Sequence, residues 1–345
     1  MDSLERLLKE ILPFKHYIFC GYARNCLYLL LKSLDLKYDD EIILPAFTSS
    51  SIYEVVRLAG VKIKYVDCEE DTLNICPDRL LETITNKTRI IYVVHTYGTS
   101  ASIERIVDIA RKNGILVIED IVHSIYREYR HKKLGTFGDY TLLSFTKSFI
   151  NFQGACLATN DKSIFAKMLY LQSKYKKSIN HFKYIPLYIY RFLGSIWEVK
   201  GSLLPMLVFK SLLKIRTIFR ITYNPDSFSN DFFHMTGLSA SLTCRELKNE
   251  ANHLQEKQYE KFCMMYSEFI TTPGLLDEQT GIRPKQLIGI IHRKNFLLEL
   301  FSIEAWRNPH KPGVFKRADK LYSECRIFSN VILKGAFRYA FNKNR

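Results

Sequence analysis

The chain has 345 residues, of which 47% are hydrophobic and 25% are charged, and this composition excludes an intrinsically disordered protein. Its 50 lysines and arginines outnumber its 35 acids, and the formal net charge of +15 favours anionic partners such as phosphorylated substrates or anionic membranes. No basic run is interleaved with aromatic residues as in a nucleic-acid-binding module, so we expect no nucleic-acid partner.

The eight cysteines indicate a reducing compartment. They are scattered, without a C-x-x-C pair or a His/Cys cluster at zinc spacing, so we expect buried thiols and no metal site. Residues 1–15 carry acids among their apolar positions and lack the basic start and long apolar core of a signal peptide. We therefore predict a cytoplasmic protein.

From residue 40 to residue 159, short β-rich runs alternate with helical stretches. The predicted strands are Glu41–Leu44, Val61–Val66, Arg89–Val94 and Ile115–Ile118, and the predicted helices are Ser51–Ala59 and Ile103–Lys112. Apolar, β-branched strands of this kind are typical of a parallel sheet covered on both faces. We predict a doubly wound α/β domain whose ligands lie at the carboxyl ends of the strands.

The segment 184–221 is rich in aromatic and aliphatic residues and carries six lysines and arginines, with Glu198 as its one acid. Its charges, Pro186 and Pro205 interrupt it too often for a bilayer span. It could lie as an amphipathic surface on an anionic membrane. The favoured alternative is an insertion that buries its apolar face against the protein body or a second subunit.

The remainder predicts a smaller C-terminal α/β domain. The polar segment 238–268 is predicted to form a long helix. A short strand is predicted at Gln286–His292 and another helix at Lys294–Phe301. The predicted boundaries are 1–180 for the large domain with its N-terminal helix, 181–235 for the insertion-like segment and 236–345 for the smaller domain.

Polar side chains follow three of the apolar runs that predict strands. Asp120 ends one, Ser144 and Lys147 follow another, and His95 comes directly after Val94. Parallel strands end at one edge of a sheet, so an acid, an amine, a hydroxyl and an imidazole would share one rim. Alone, such a lysine is usually solvated and such an aspartate could cap a helix. Together they supply what pyridoxal 5′-phosphate (PLP) needs: an amine, an acid for the pyridine nitrogen, and a hydroxyl for the phosphate.

Seven sequence motifs occur in the order of a known family. They are Gly21-Tyr-Ala-Arg-Asn25, Ile43-Leu-Pro-Ala-Phe-Thr48, Tyr65-Val-Asp67, His95-Thr-Tyr-Gly98, Ile118-Glu-Asp120 with His123, Lys133-Leu-Gly-Thr-Phe-Gly-Asp139, and Ser144-Phe-Thr-Lys147. The chain resembles the DegT/DnrJ/EryC1/StrS-type sugar aminotransferases. The resemblance implies the PLP-dependent fold type I: a large domain with a mainly parallel, seven-stranded-type sheet and a smaller C-terminal α/β domain.

The resemblance also implies roles for individual residues. Lys147 corresponds to the Schiff-base lysine and Asp120 to the partner of the pyridine nitrogen. Ser144 corresponds to a phosphate hydroxyl, and His123 to a residue beside the cofactor ring. Ala23 and Arg24 correspond to the turn whose backbone N–H groups hold the phosphate at a helix N-terminus. His95, on the same rim, completes the expected set of cofactor-binding residues.

Three positions depart from the family pattern. Ser144 and Lys147 are three residues apart, where most members have five. Ser49 stands where many members place an aromatic ring that stacks on the cofactor. Phe232 stands where an asparagine usually reaches the phosphate from the neighbouring subunit.

The resemblance implies an aminotransferase that adds an amino group to a nucleotide- or lipid-linked ketosugar in polysaccharide or glycan biosynthesis, with glutamate or another amino acid as donor. The resemblance also includes enzymes of this fold that dehydrate a sugar, and these have a histidine at the lysine position. Lys147 argues against that reaction. We expect a homodimer in the cytoplasm, with any membrane contact at the inner face through 184–221. The alternative is a member that has lost the cofactor and serves as a membrane-associated partner in polysaccharide assembly.

Overall fold

The structure is a computed structural model that describes residues 1–69, 72–149, 151–175, 185, 188, 189, 232–248, 317 and 318, and the backbone of five strands between residues 270 and 329. The helices are α1 (Asp2–Ile11), α2 (Ala23–Ser33), α3 (Ser50–Ala59), α4 (Pro77–Thr83), α5 (Ile103–Lys112), α6 (Phe145–Ser148), α7 (Lys162–Ser173) and α8 (Gly237–Lys248). The first nine strands are β1 (His16–Cys20), β2 (Glu41–Pro45), β3 (Lys62–Val66), β4 (Thr88–Val94), β5 (Leu116–Asp120), β6 (Arg127–Tyr129), β7 (Lys132–Lys133), β8 (Tyr140–Ser144) and β9 (Ala155–Thr159). The other five are β10 (Ile270–Thr271), β11 (Thr280–Gly281), β12 (Gln286–Ile291), β13 (Ser302–Glu304) and β14 (Cys325–Ser329).

Seven strands form the central sheet in the order β1-β9-β8-β5-β4-β2-β3. β9 runs antiparallel to both of its neighbours, and the pairings from β8 through to β3 are all parallel. The prediction of a mainly parallel, doubly wound sheet is confirmed. β10, β12, β14 and β13 form a separate antiparallel sheet within residues 270–329.

Two apolar clusters lie on opposite faces of the central sheet because neighbouring residues of a strand point to opposite sides. Ile91 and Val93 of β4 pack in the cluster that includes residues of α1 and α5. Ile90, Tyr92 and Val94 pack in the other cluster, with residues of α2, α3 and α7. Both faces are therefore buried, which explains why residues Ile90–Val94 of β4 are all apolar or aromatic.

Helix α8 is attached to the large domain by buried polar side chains. Asn151 donates to the Ser239 carbonyl oxygen at 3.0 Å and to Thr243 Oγ1 at 2.9 Å. Gly154 lies against Ser239. Its φ of +122° is a backbone conformation that residues with a side chain rarely adopt. The start of α8 is therefore fixed against the segment that follows α6.

The predicted elements before residue 120 end within a few residues of the observed ones. Of the long helix predicted over 238–268, the described residues include only 238–248. Of the strand predicted as Gln286–His292, they include the backbone of β12. The predicted helix Lys294–Phe301 and nearly all of 184–221 lie outside them. The domain boundaries stay predictions. Cys20, Cys26, Cys68, Cys76 and Cys156 are buried free thiols, as expected.

Candidate active site

A cleft with a volume of about 600 Å³, including the part open to solvent, lies at the carboxyl edge of the central sheet. It is lined by Ala23, Arg24, Leu27, Ser49, Ser51, Ile52, Tyr92, Val94, Asp120, Val122, His123, Leu142, Ser144 and Lys147. These residues belong to or follow β1, β2, β4, β5 and β8. The structure thus brings together six of the seven predicted site residues, because parallel strands deliver their ends to one edge.

Lys147 lies in the single helical turn α6, which follows β8 directly. Ser144 is the N-cap residue of this turn, and residues three apart on a helix lie on the same side. The short spacing therefore places both Ser144 and Lys147 in the cleft. The turn is anchored by the buried side chains of Phe145 and Phe149. The Phe145 N–H also donates to the Gly154 carbonyl oxygen at 2.9 Å.

Asp120 ends β5 and is 2% exposed. Its Oδ1 accepts the Val122 N–H at 2.9 Å, and its Oδ2 accepts the hydroxyl of Tyr92 from the adjacent strand. Burial raises the pKa of the Asp120 carboxyl from 3.8 to about 6, against the lowering effect of these two hydrogen bonds. The cleft therefore contains a carboxylate with few water contacts, which would gain from a cationic partner.

His123 lies three residues beyond Asp120 and is buried at the cleft. Its ring stacks on Tyr97, with the centroids 4.6 Å apart and the planes inclined by 11°. Tyr97 adopts a left-handed conformation with φ of +49°, directly before Gly98. The turn after β4 thus supplies an aromatic support for one face of the His123 ring.

The turn between β1 and α2 is fixed from two sides. The Gly21 N–H donates to the Phe232 carbonyl oxygen at 2.9 Å, and the Gly21 carbonyl oxygen accepts the Gly154 N–H. A Cβ atom at Gly21 would lie 3.0 Å from both Phe232 Cβ and Gln153 Oε1, so a side chain has no room there. The turn leads into α2, whose first residues Ala23 and Arg24 line the cleft.

His95 is the predicted site residue that the structure does not place in the cleft. It is fully buried, and its Nδ1 accepts the Ala101 N–H at 3.1 Å. The neutral ring therefore carries its proton on Nε2 and donates it to Glu119 Oε1 at 3.0 Å. Glu119 also accepts backbone N–H groups of Gly135, Phe137 and Gly138. The His95–Glu119 pair holds the 135–138 loop against β5.

The model of the DegT/DnrJ/EryC1/StrS aminotransferase family matches residues 1–185, more than half of the chain. The chain belongs to this family. The family predicted from the sequence motifs is thereby confirmed.

Curated relatives match less than half of the chain in the three cases that follow. The spore coat polysaccharide biosynthesis protein SpsC of Bacillus subtilis is 31% identical over 171 residues, covering 48% of this chain and 44% of that protein. GDP-perosamine synthase of Escherichia coli O157:H7 is 31% identical over 150 residues, covering 43% and 41%. UDP-2-acetamido-2-deoxy-3-oxo-D-glucuronate aminotransferase of Pseudomonas aeruginosa is 35% identical over 133 residues, covering 39% and 37%. The match thus spans less than half the length of each relative.

Solved structures resemble the chain over most of its length. A DegT DnrJ EryC1 StrS aminotransferase from Brucella abortus is 18% identical with a TM-score of 0.72, covering 98% of this chain and 89% of that one. The E. coli GDP-4-keto-6-deoxy-D-mannose-3-dehydratase with bound hydrated PLP is 17% identical with a TM-score of 0.67, covering 95% and 87%. These similarities confirm the predicted fold type I.

The sequence motifs did not indicate two residues of this family member's cleft. The sequence pattern predicts only a strand at Tyr92, although a buried tyrosine usually finds a hydrogen-bond partner for its hydroxyl. The sequence pattern predicts only a helix start at Ser51, yet Ser51 lines the cleft and its Oγ lies 2.9 Å from Ser49 Oγ. In the part of the chain that the structure describes, no helix is long and apolar enough to cross a membrane.

Proposed function

We propose that the chain is a PLP-dependent aminotransferase that transfers an amino group to a ketosugar carried on a nucleotide, in polysaccharide biosynthesis. The observation that carries the proposal is the placement of Lys147 and the buried Asp120 in one cleft. An amine and a protected carboxylate are the two side chains that PLP chemistry requires.

The residues of the cleft fit PLP. Lys147 would supply the amine for covalent attachment, and Asp120 would face the pyridine nitrogen. The α2 N-terminus with Arg24 and the Ser144 hydroxyl would hold the phosphate, since helix N-termini favour anions. His123, supported by Tyr97, would lie beside the ring.

When bound, PLP supplies an electron sink that makes the Cα proton of an amino acid removable. Asp120 would keep the proton on the pyridine nitrogen, and its two hydrogen bonds, from Tyr92 and Val122, keep it in place. The Lys147 amine, once free, would take the proton from Cα of the amino donor as a general base. The apolar side chains of Leu27, Ile52 and Leu142 line the cleft and would limit the access of water to this step.

The substrate class is supported by the names of the relatives, which include a GDP-perosamine synthase, a dTDP-amino-sugar transaminase of Aneurinibacillus thermoaerophilus and a UDP-sugar aminotransferase. They favour a nucleotide over a lipid as carrier. The donor, glutamate or another amino acid, is part of the proposal, and the homodimer and the cytoplasmic location stay predictions. The alternative of a membrane-associated partner without cofactor has no support in these names.

The test is the absorbance spectrum of the purified chain after incubation with PLP. We expect a band near the visible edge that decays when glutamate is added, and transfer of ¹⁵N from labelled glutamate to one of a panel of GDP-, dTDP- and UDP-ketosugars. Lys147→Ala should lose the band, and Lys162→Ala, at an exposed lysine of α7, should keep it. A wild-type chain that binds no PLP would contradict the proposal.

A further inference from the structure

The turn that follows β4 adopts a backbone conformation that its sequence does not favour. Tyr97 has φ of +49° and ψ of +33°, in the left-handed region that residues with a side chain rarely adopt, and Gly98 follows with φ of +87°. The glycine enters this region freely, but the tyrosine does so at a cost in free energy. Contacts with other parts of the chain must therefore hold the turn.

Asn74 holds the turn from the segment between β3 and α4. Its side chain is fully buried, and its Oδ1 accepts the Thr96 N–H at 2.9 Å. Its Nδ2 donates to the Thr99 carbonyl oxygen, also at 2.9 Å. These two contacts, one on each side of the strained residues, form the Asn74 clamp. A carboxamide can accept at one end of the turn and donate at the other, which neither an ionised carboxylate nor an apolar side chain can do.

The Asn74 clamp determines where the Tyr97 ring lies. This ring is 5% exposed and stacks on the ring of His123, which lines the cleft. The planes are inclined by only 11°, so the stack restricts the imidazole to one orientation. The orientation of a cleft residue therefore depends on the turn, and the turn depends on Asn74.

We propose that Asn74 is a positioning residue of the active site, which holds Tyr97 against His123 and thereby orients the His123 ring beside the cofactor. This inference rests on the proposed function. The sequence motifs did not include Asn74, which lies between the motif that ends at Asp67 and the one that begins at His95. A ring that is already oriented loses less entropy when a ligand binds, so the clamp should strengthen cofactor binding and fix the orientation of the bound cofactor.

The experiment compares Asn74→Leu with Asn113→Leu. Leucine has the branching of asparagine and nearly its size, so Asn74→Leu removes both contacts of the clamp with little change of shape. Asn113 is an exposed residue at the end of α5 that donates to the Ile109 carbonyl oxygen at 2.8 Å. Its variant makes the same chemical change away from the cleft.

Two readouts are measured: the dissociation constant for PLP by absorbance titration, and the visible circular dichroism per bound PLP at saturation. We expect Asn74→Leu to raise the dissociation constant about 10-fold, the effect of a broken buried hydrogen bond, and to weaken the dichroic band. Asn113→Leu should match wild type in both. A chain that is merely less stable would still give the wild-type band once it is saturated, so a weaker band reports a displaced ring.

A double variant tests whether Asn74 acts through the stack. Tyr97→Leu removes the ring and should raise the dissociation constant by about 3- to 10-fold, since an aromatic pair contributes this much. Tyr97→Phe keeps the ring and should lose less than Tyr97→Leu. Without the Tyr97 ring the clamp has no ring to orient, so Asn74→Leu combined with Tyr97→Leu should bind PLP about as weakly as the weaker of the two single variants.

Fully additive effects of the two substitutions would overturn the inference while leaving the proposed function intact. Wild-type affinity and a wild-type dichroic band in a folded Asn74→Leu would do the same. If Asn74→Leu does not fold, Asn74→Ser, whose hydroxyl can keep one of the two contacts, decides by the same measurements. A wild-type chain that binds no PLP would overturn the proposed function and the inference with it.

Discussion

Replacement of Asp120 by asparagine should change how the stability of the cofactor-free protein depends on pH. Asparagine has the same shape, its Oδ1 can accept the Val122 N–H, and the Tyr92 hydroxyl can rotate to accept from the amide. The substitution therefore removes the buried charge and keeps the packing. The effect on stability at each pH then reports on the ionisation of one carboxyl group.

The magnitude follows from the pKa of Asp120, which burial raises from 3.8 to about 6 in the folded protein. Below about pH 3 the carboxyl is protonated in both the folded and the unfolded chain, and its ionisation does not affect the free energy of unfolding. As the pH rises toward 6 it ionises first in the unfolded chain, so the free energy of unfolding falls. At about 1.4 kcal/mol per pH unit, the total loss is about 3 kcal/mol, of which about 2 kcal/mol lies above pH 4.5.

The assay is urea unfolding followed by far-ultraviolet circular dichroism, for wild type and Asp120→Asn, between about pH 4.5 and about pH 7.5. We expect Asp120→Asn to gain about 2 kcal/mol relative to wild type across this range, because all other groups cancel in the difference. Tyr92→Phe removes a hydrogen bond that lowers the Asp120 pKa, so its loss of stability should continue to higher pH than in wild type. A difference that is constant with pH, or that grows as the pH falls, would refute the reasoning.

Two further predictions concern stability away from the cofactor. Glu119→Gln should lower the free energy of unfolding by at least about 3 kcal/mol, because the new amide N–H₂ group would face N–H donors of the 135–138 loop and of His95. The measurement is urea unfolding. The control variant Glu82→Gln, which removes an exposed ion pair, should have a stability near that of wild type. Gly154→Ala should lower the thermal midpoint much more than Gly60→Ala. Both glycines have positive φ, but the added Cβ would lie 2.9 Å from Ser239 Oγ and 3.1 Å from Phe145 Cδ2 at Gly154 and meets no described atom within 4 Å at Gly60. Equal shifts for the two glycine variants would contradict the packing at α8.

The strands that build the site could be predicted from the sequence, because their apolar runs end in polar residues of distinct chemistry. Asp120, Ser144 and Lys147 could be predicted in this way, and all three line the cleft. The three-residue spacing of Ser144 and Lys147 was a departure in the sequence. In the structure it is one helical turn with both side chains on the same side.

The motifs did not predict on which face of the sheet the side chains of His95 and Tyr92 lie. Alternation along β4 puts Tyr92 and Val94 on one face and Val93 and His95 on the other, and the same rule separates Asp120 from Glu119 on β5. The register pairs Val94 with Asp120 and Val93 with Glu119, so the imidazole meets Glu119 and the phenol meets Asp120. Alternation could have predicted the faces, but the register of two parallel strands depends on packing that a single sequence does not reveal.

The central claim is that Lys147 is the residue to which PLP becomes attached. The direct measurement is borohydride reduction of the protein after incubation with PLP, followed by digestion and mass spectrometry of the peptides. We predict one pyridoxyl-phosphate group per chain on the peptide that contains Lys147, and none in Lys147→Arg. A label on another lysine, or a protein that carries no label, would contradict the claim.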